Sequence, residues 1–198
     1  SKWNKHFVFD FIDTKYKKIG MVDFDTMPKW DSPDPFEQYT TEFCGVNDNS
    51  SLFWLGNSIK SYRKSFKEID VDLKIGEYIN SGVLFFTDQH KYIFENVQSF
   101  YLSNKEQLDN WNVPYTGRDQ TILNLILKKL SVHKKYLPYT WNTISMNKKG
   151  MFSSNEKLND KMPFFLKYGN IWHFTGFPVE QRTHIIQQIW SQINSHYK

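Results

Sequence analysis

The stretch Ile19-Gly20-Met21-Val22-Asp23-Phe24-Asp25-Thr26 decides how this sequence folds. It begins with a short apolar run and ends in two aspartates that are spaced by one residue. An apolar run of this length that ends in polar residues is typical of a buried strand. The carboxyl ends of strands are also where open α/β sheets bind ligands. We therefore predict a strand over 19–23 whose end carries the acidic pair Asp23 and Asp25.

Strand-like and helix-like segments alternate along the rest of the chain. Residues 81–86 form a second apolar run without polar alternation, as expected for a strand that helices cover on both faces. Thr87 or Asp88 is then expected to cap a helix. Apolar residues at three- and four-residue spacing predict three helical faces: Ile93, Val97, Phe100 and Tyr101; Ile122, Leu123, Ile126, Leu127 and Leu130 in a helix over 120–130; and Ile185, Ile186, Ile189, Trp190 and Ile193. The alternation predicts an α/β fold with a mainly parallel sheet flanked by helices.

Three segments are less regular. Residues 7–12 are apolar throughout while Phe7, Phe9 and Phe11 alternate, so periodicity leaves strand and helix both open. Residues 31–35 contain two prolines and predict a loop. Residues 150–163 are rich in Asn, Ser and Lys and predict a mobile loop that is a candidate lid, because they precede the final predicted strand.

Composition narrows the classes of protein and of partner. The chain has 198 residues, 39% hydrophobic and 18% aromatic, which favours one folded domain over a disordered chain. A net charge of +4 suits an anionic ligand but is too small and too scattered to indicate nucleic acid. The single Cys44 excludes an internal disulfide and favours a reducing compartment. No apolar run approaches the ~20 residues of a membrane span, so we expect a soluble, cytoplasmic chain without a transmembrane segment.

The acidic pair indicates a divalent metal site. Carboxylates at a strand end offer hard oxygen ligands for Mg²⁺ or Mn²⁺, and the ion would bridge a diphosphate. Asp70 and Asp72 have the same spacing but lie in a polar stretch, where acidic residues are normally solvated. We therefore place the metal at Asp23 and Asp25.

Blocks of sequence in a fixed order resemble family 8 of the GT-A-fold glycosyltransferases, the retaining enzymes of the glycogenin and lipopolysaccharide galactosyltransferase kind. The blocks are Lys5 followed by Tyr16-Lys17-Lys18-Ile19-Gly20-Met21-Val22-Asp23-Phe24-Asp25-Thr26, then Asn80-Ser81-Gly82-Val83-Leu84, Asp119-Gln120-Thr121-Ile122-Leu123-Asn124, Leu137-Pro138 with Trp141-Asn142, and His173-Phe174-Thr175-Gly176. They span most of the chain, and their joint order is more specific than any one block.

The resemblance implies a role for each matched residue. Asp23 and Asp25 would ligate Mn²⁺, with Asp23 also facing the ribose, and His173 would be the third ligand, because imidazole suits Mn²⁺ better than Mg²⁺. The alternative for His173 is a structural histidine. Asn80, Ser81 and Gly82 would let the donor sugar approach closely. Asp119 and Gln120 would act at the sugar and the acceptor, with Gln120 a polar stabiliser near the anomeric carbon and Asp119 also able to cap a helix. The remaining expected donor-binding residues are Lys5, Trp141, Asn142 and Gly176.

The expected reaction follows from the resemblance. A hexose would pass from a nucleotide-diphosphate sugar, expected to be a UDP-sugar, to a hydroxyl of a glycan, glycoprotein or lipid-linked acceptor. Its anomeric configuration would be retained.

Two departures from the family pattern stand out. Val179 occupies the position of a lysine that grips the diphosphate, and Arg182 or Lys167 would have to substitute, although neither is in register. Only 22 residues precede Asp23, so a single catalytic domain over 1–198 would lack the family's N-terminal β-α-β portion.

Two other functions remain as alternatives. Asp23 and Asp25 could be the nucleophile and acid/base of a haloacid-dehalogenase-like phosphatase, although Met27 stands where that family prefers Thr or Val and the sequence has no later acidic cluster after a strand. A sugar-binding module without turnover would use the aromatic rings of Trp30, Trp54, Trp111 and Trp141.

Overall fold

The computed structural model describes residues 3–12, 15–39, 41–48, 50–114, 116–143 and 164–196. The predicted loop over 150–163 lies outside these residues. The chain divides into two compact units, the first formed by Ser1–Met21 with Asp34–Leu137 and the second by Val22–Pro33 with Pro138–Lys198.

The first unit is built on a four-stranded sheet. Its strands are β1 (Lys18–Val22), β3 (Phe43–Asn47), β4 (Ile79–Thr87) and β5 (Lys134–Tyr136), in the spatial order β1-β4-β3-β5. All nine residues of β4 are buried, whereas the burial of β1 alternates along the strand. Both predicted strands are therefore present, but β1 has one exposed face.

The sheet contains both a parallel and an antiparallel pair of strands. β3 pairs with β4 antiparallel, with Cys44 opposite Phe85, and with β5 parallel, with Phe43 opposite Lys134. The α/β class with flanking helices is confirmed. The antiparallel direction of the β3–β4 pair was not predicted, because a continuous apolar run indicates that both faces of a strand are buried and does not indicate which way its neighbour runs.

Two of the helices of the first unit carry predicted apolar faces. They are α1 (Val8–Phe11), α2 (Pro35–Gln38), α3 (Leu52–Ser65), α4 (Lys91–Ser103), α5 (Lys105–Asp109) and α6 (Arg118–Lys129). Ile93 and Val97 of α4 and Ile122 and Leu127 of α6 are fully buried. The ambiguous segment 7–12 is helical as far as Phe11, and its Phe9 ring packs against Phe86 and Phe94 at centroid distances of 6.0 and 5.5 Å.

The second unit has its own small sheet and core. β2 (Thr26–Pro28) pairs antiparallel with β6 (Ile171–His173), and the helices are α7 (Phe164–Tyr168) and α8 (Val179–His196). The core consists of Phe165, Leu166, Trp172, Phe174 and Ile189. Of the predicted stripe on α8, Ile189 is buried, whereas Trp190 is 47% exposed. No helix within the described ranges combines the length and the apolar character that crossing a bilayer requires.

Gly117, directly before α6, has no room for a side chain. A Cβ there would lie 2.6 Å from the Tyr78 hydroxyl, 2.7 Å from Thr121 Oγ1 and 2.8 Å from the Trp54 ring. Gly76 has no neighbour within 4 Å of the same position.

We expect Gly117→Ala to lower the free energy of unfolding by about 1–3 kcal/mol, because overpacking forces the surrounding side chains or backbone to move. Gly76→Ala is the matched control and should leave stability nearly unchanged. Urea unfolding followed by tryptophan fluorescence measures both. Equal stabilities of the two variants would contradict the packing described around Gly117.

Candidate functional site

The acidic pair of the second unit lies in the turn that enters β2. The backbone nitrogen and the hydroxyl of Thr26 both donate to the carbonyl oxygen of Asp23, at 3.0 and 2.7 Å. Thr26 then lies opposite His173 in the β2–β6 pair, and the nitrogen of Phe174 donates to the carbonyl of Asp25 at 2.8 Å. Strand pairing thus brings together residues that are far apart in the sequence.

These three side chains form a cluster that fits a divalent metal ion. One ligand atom each from Asp23, Asp25 and His173 can be chosen so that all lie within 4.8 Å of one another. His173 Nε2 lies 3.4 Å from Asp25 Oδ1. A divalent ion bound between the two would take the place of this direct contact, and Nε2 would then offer its lone pair to the ion. Two carboxylates and an imidazole are a donor set that suits Mn²⁺.

Asn142 orients the His173 ring. Its side-chain oxygen lies 3.0 Å from His173 Nδ1, and both residues are buried. An amide oxygen only accepts hydrogen bonds, so Nδ1 donates to it and Nε2 is the ring nitrogen left to face Asp25 or a metal ion. Asn142, expected to bind the donor, contacts the histidine of the candidate metal cluster. The neighbouring Trp141 is 3% exposed and belongs to the interior.

Arg182 pairs with the buried carboxylate of Asp25. Arg182 Nη1 lies 3.0 Å from Asp25 Oδ2, and Asp25 is 8% exposed. Burial by itself would raise the pKa of Asp25. The hydrogen bond and charge of His173, together with the charge of Arg182, outweigh burial and hold the pKa below its usual value. The carboxylate is therefore kept in the ionised form that metal ligation needs.

A second polar cluster lies in the first unit, around Asp119. Lys5 Nζ lies 3.2 Å from Asp119 Oδ2 and donates to Ser81 Oγ at 2.9 Å. His6 Nε2 lies 3.3 Å from the same aspartate oxygen. The side-chain oxygen of Gln120 accepts from the backbone nitrogen of Ser81 at 2.9 Å. The blocks at residues 5, 80–82 and 119–120 are therefore brought together.

Asp48 and His6 belong to this second cluster but were missed by the sequence analysis. Asp48 is 4% exposed and accepts from Asn80 Nδ2 at 3.1 Å and from Gln120 Nε2 at 2.8 Å. It follows β3 just as Asp23 follows β1, so the apolar run before it was the signal that could have found it. His6 offered no such signal beyond its position beside Lys5.

The remaining candidates lie in different local environments. Gly82 donates its backbone nitrogen to Asn80 Oδ1 at 2.8 Å. Gly176 has φ of 80°, which glycine adopts without strain, in the turn between β6 and α8. Asp70 and Asp72 form exposed ion pairs with Arg63 and Lys74, which agrees with the expectation that this second acidic pair is solvated.

Solved glycosyltransferases share this fold. The chain superposes on WbbM, a bifunctional glycosyltransferase, with a TM-score of 0.55 and 18% identity, covering 96% of this chain and 35% of that one. It superposes on the glycosyltransferase GlyE of Streptococcus pneumoniae TIGR4 with a TM-score of 0.51 and 17% identity, covering 99% of this chain and 45% of that one.

The chain has the GT-A glycosyltransferase fold. It spans less than half the length of either protein. No protein-family model matches the sequence, and a sequence comparison with curated proteins matches none of them. At these identities the likeness concerns the fold alone.

Asp119 lies at the start of α6, next to a residue with a strained backbone. Arg118 has φ of 38°, in the left-handed region that a residue with a side chain adopts at a cost of roughly 1–3 kcal/mol. The helix begins at Arg118 with Gly117 as its N-cap, so Asp119 is not the cap that was expected. Its carboxylate faces Lys5 and His6 instead.

We expect Asp119→Asn to lower the free energy of unfolding by about 2–4 kcal/mol at pH 7, because Lys5 loses a buried counter-charge. Burial alone would raise the pKa of Asp119, but the His6 hydrogen bond and the Lys5 charge lower it. A lowered pKa stabilises the ionised, folded form. The destabilisation should therefore stay constant down to about pH 4 and shrink below it.

Urea unfolding between pH 7 and pH 3 measures this difference. Asp72→Asn is the control, since that carboxylate is exposed and its loss should change stability little at any pH. A destabilisation by Asp119→Asn that grows below pH 4 would contradict the proposed charge balance.

Proposed function

We propose that this chain is the catalytic part of a metal-dependent glycosyltransferase of the family 8 kind. It moves a hexose from a UDP-sugar to an acceptor hydroxyl with retention of configuration. The observation that carries the proposal is the Asp23, Asp25 and His173 cluster, which has the chemistry of a metal site and occurs in a chain with the GT-A fold. The ordered blocks of sequence support family 8, the UDP-sugar and the retention.

The residues of the second unit would hold the ion and keep it correctly ligated. Asp23 and Asp25 offer carboxylate oxygens, and Asn142 holds the His173 ring so that Nε2 is available. Ionisation of Asp25 is favoured by its charged neighbours. When bound, Mn²⁺ would supply Lewis-acid stabilisation of the charge on the leaving diphosphate.

The residues of the first unit would bind the sugar and the acceptor. Asp119 is ionised and balanced by Lys5, so it can accept hydrogen bonds from sugar hydroxyls. The amide of Gln120 is held at both ends, by Ser81 and by Asp48. An amide is a poor nucleophile, and one fixed in this way serves as a polar stabiliser rather than as an attacking group.

The two alternative functions have less support. A haloacid-dehalogenase-like phosphatase does not have the GT-A fold. For a sugar-binding module, two of the four tryptophans are already packed against other side chains of the chain. Trp141 is 3% exposed and Trp111 stacks on Tyr62 at 4.8 Å, whereas Trp30 is 50% exposed.

With Mn²⁺ and UDP-hexoses, the protein should release UDP slowly even without an acceptor, because water can replace the acceptor hydroxyl. Asp25→Asn should reduce this release at least about a hundredfold, since it removes a charged metal ligand. Asp31→Asn is the matched control in the same unit, because that carboxylate pairs with Lys29 at 3.1 Å and lies outside the cluster.

Coupled detection of UDP measures the release, and circular dichroism checks that each variant is folded. Hydrolysis of a generic phosphoester while UDP-hexoses stay intact would favour the phosphatase. Glycan binding that is indifferent to Mn²⁺ and to Asp25 would favour the sugar-binding module.

We expect Asn142→Ala to weaken Mn²⁺ binding by about 10–100-fold, because it frees the ring of a ligating histidine. Asn142→Asp keeps an acceptor for His173 Nδ1 and should restore most of the affinity. Electron paramagnetic resonance of free Mn²⁺ gives both affinities. Equal affinities of Asn142→Ala and the unmodified protein would remove Asn142 from the metal site.

A further inference from the structure

Arg182 lies beside the Asp23, Asp25 and His173 cluster, and two contacts fix its guanidinium there. It lies in the first turn of α8, its side chain is 18% exposed, and Nη2 donates to the carbonyl of Phe177 at 3.1 Å. Nη1 reaches Asp25 Oδ2 at 3.0 Å. Its Nε is buried and contacts no acceptor in the part of the chain that the structure describes. Two contacts therefore fix the guanidinium beside Asp25. Its Nε–H makes no hydrogen bond within the described residues and is left to donate to a ligand.

The two oxygens of Asp25 face different partners. Oδ1 lies toward His173 Nε2 at 3.4 Å, and Oδ2 lies toward Arg182 at 3.0 Å. An ion bound through Oδ1 would share the charge of this carboxylate with a fixed cation. With His173 neutral, as ligation of an ion through Nε2 requires, Asp23, Asp25, His173 and Arg182 together carry a formal charge of about −1. A divalent ion would leave the cluster with a net positive charge.

We propose that Arg182 couples the binding of the metal ion to the binding of the diphosphate. This inference rests on the proposed function. Arg182 weakens the binding of the ion alone, because the two positive charges repel and Asp25 is shared. It strengthens the binding of ion and diphosphate together, because a diphosphate neutralises both cations and its oxygens match the donors of a guanidinium.

The coupling affects the order in which the ion and the diphosphate bind and leave. Mn²⁺ alone is held weakly, while Mn²⁺ with a nucleoside diphosphate is held firmly. After sugar transfer the same coupling opposes loss of the ion by itself. The ion and the diphosphate product therefore leave together or in close succession.

Lys167 is the other basic residue that could have played this part, and it provides a matched control. It lies in α7 of the same unit, is exposed, and its Nζ lies 5.8 Å from the ring centroid of Tyr168. Lys167→Gln and Arg182→Gln remove the same charge from the same unit. Glutamine keeps a polar, uncharged side chain at both positions.

The test measures two affinities in the unmodified protein and in the variants Arg182→Gln, Arg182→Lys and Lys167→Gln. Electron paramagnetic resonance of free Mn²⁺ gives the affinity for the ion without nucleotide. Calorimetric titration with UDP at saturating Mn²⁺ gives the affinity for the diphosphate, with ADP in parallel to show how much the base contributes. Thermal unfolding confirms that each variant is folded.

For Arg182→Gln we expect opposite changes. Mn²⁺ alone should bind about tenfold tighter, and UDP with Mn²⁺ about tenfold weaker, as expected when one nearby charge is removed in a partly aqueous setting. Arg182→Lys keeps the charge, so its Mn²⁺ affinity should stay near that of the unmodified protein. Lys167→Gln should change neither affinity.

Changes in the same direction, or no change, in Arg182→Gln would overturn the coupling while leaving the metal site standing. Opposite changes in Lys167→Gln would give the role to that residue instead. If neither the unmodified protein nor Arg182→Gln binds Mn²⁺, the proposed function fails, and the coupling fails with it.

Discussion

The antiparallel pairing of β2 with β6 is the interaction on which the candidate metal site depends. It joins a three-residue strand next to the acidic pair to a three-residue strand close to the C-terminal helix. Because Thr26 lies opposite His173, the pairing brings the imidazole beside Asp25, and the Phe174 nitrogen holds the Asp25 backbone. A shift of one residue would turn the histidine to the other face of the strand. The core of the second unit, including the buried Trp172 and Phe174, disfavours such a shift.

The helices and strands that could be predicted from the sequence are those with a local pattern of apolar residues. Helical periodicity located α4, α6 and α8, and the apolar runs located β1 and β4. An element that buries one or both faces has apolar residues at a spacing that the sequence shows directly. The direction of β3 relative to β4 could not be predicted, since it depends on how the chain returns to the sheet. Short strands such as β2 and β6 have too few residues to show a period.

The candidate site could be predicted where its residues lie in the blocks of sequence that resemble family 8. Asp23, Asp25 and His173 form one cluster, and Lys5, Ser81 and Asp119 are connected in another. Sequence neighbours nevertheless have different roles. Trp141 is packed in the interior, while Asn142, the next residue, holds the histidine ring. Asp48 escaped notice because a single aspartate after a strand has no partner in sequence, and its partners Asn80 and Gln120 are brought to it only by folding.

We infer that Asp23, Asp25 and His173 hold a divalent metal ion. Anomalous X-ray diffraction from crystals of the protein soaked with Mn²⁺ and UDP tests it most directly. We expect one strong peak within about 2.0–2.3 Å of a carboxylate oxygen of the acidic pair and of His173 Nε2. A fully soaked crystal with Mn²⁺ bound elsewhere, or with the His173 ring still against Asp25 and no peak between them, would contradict it.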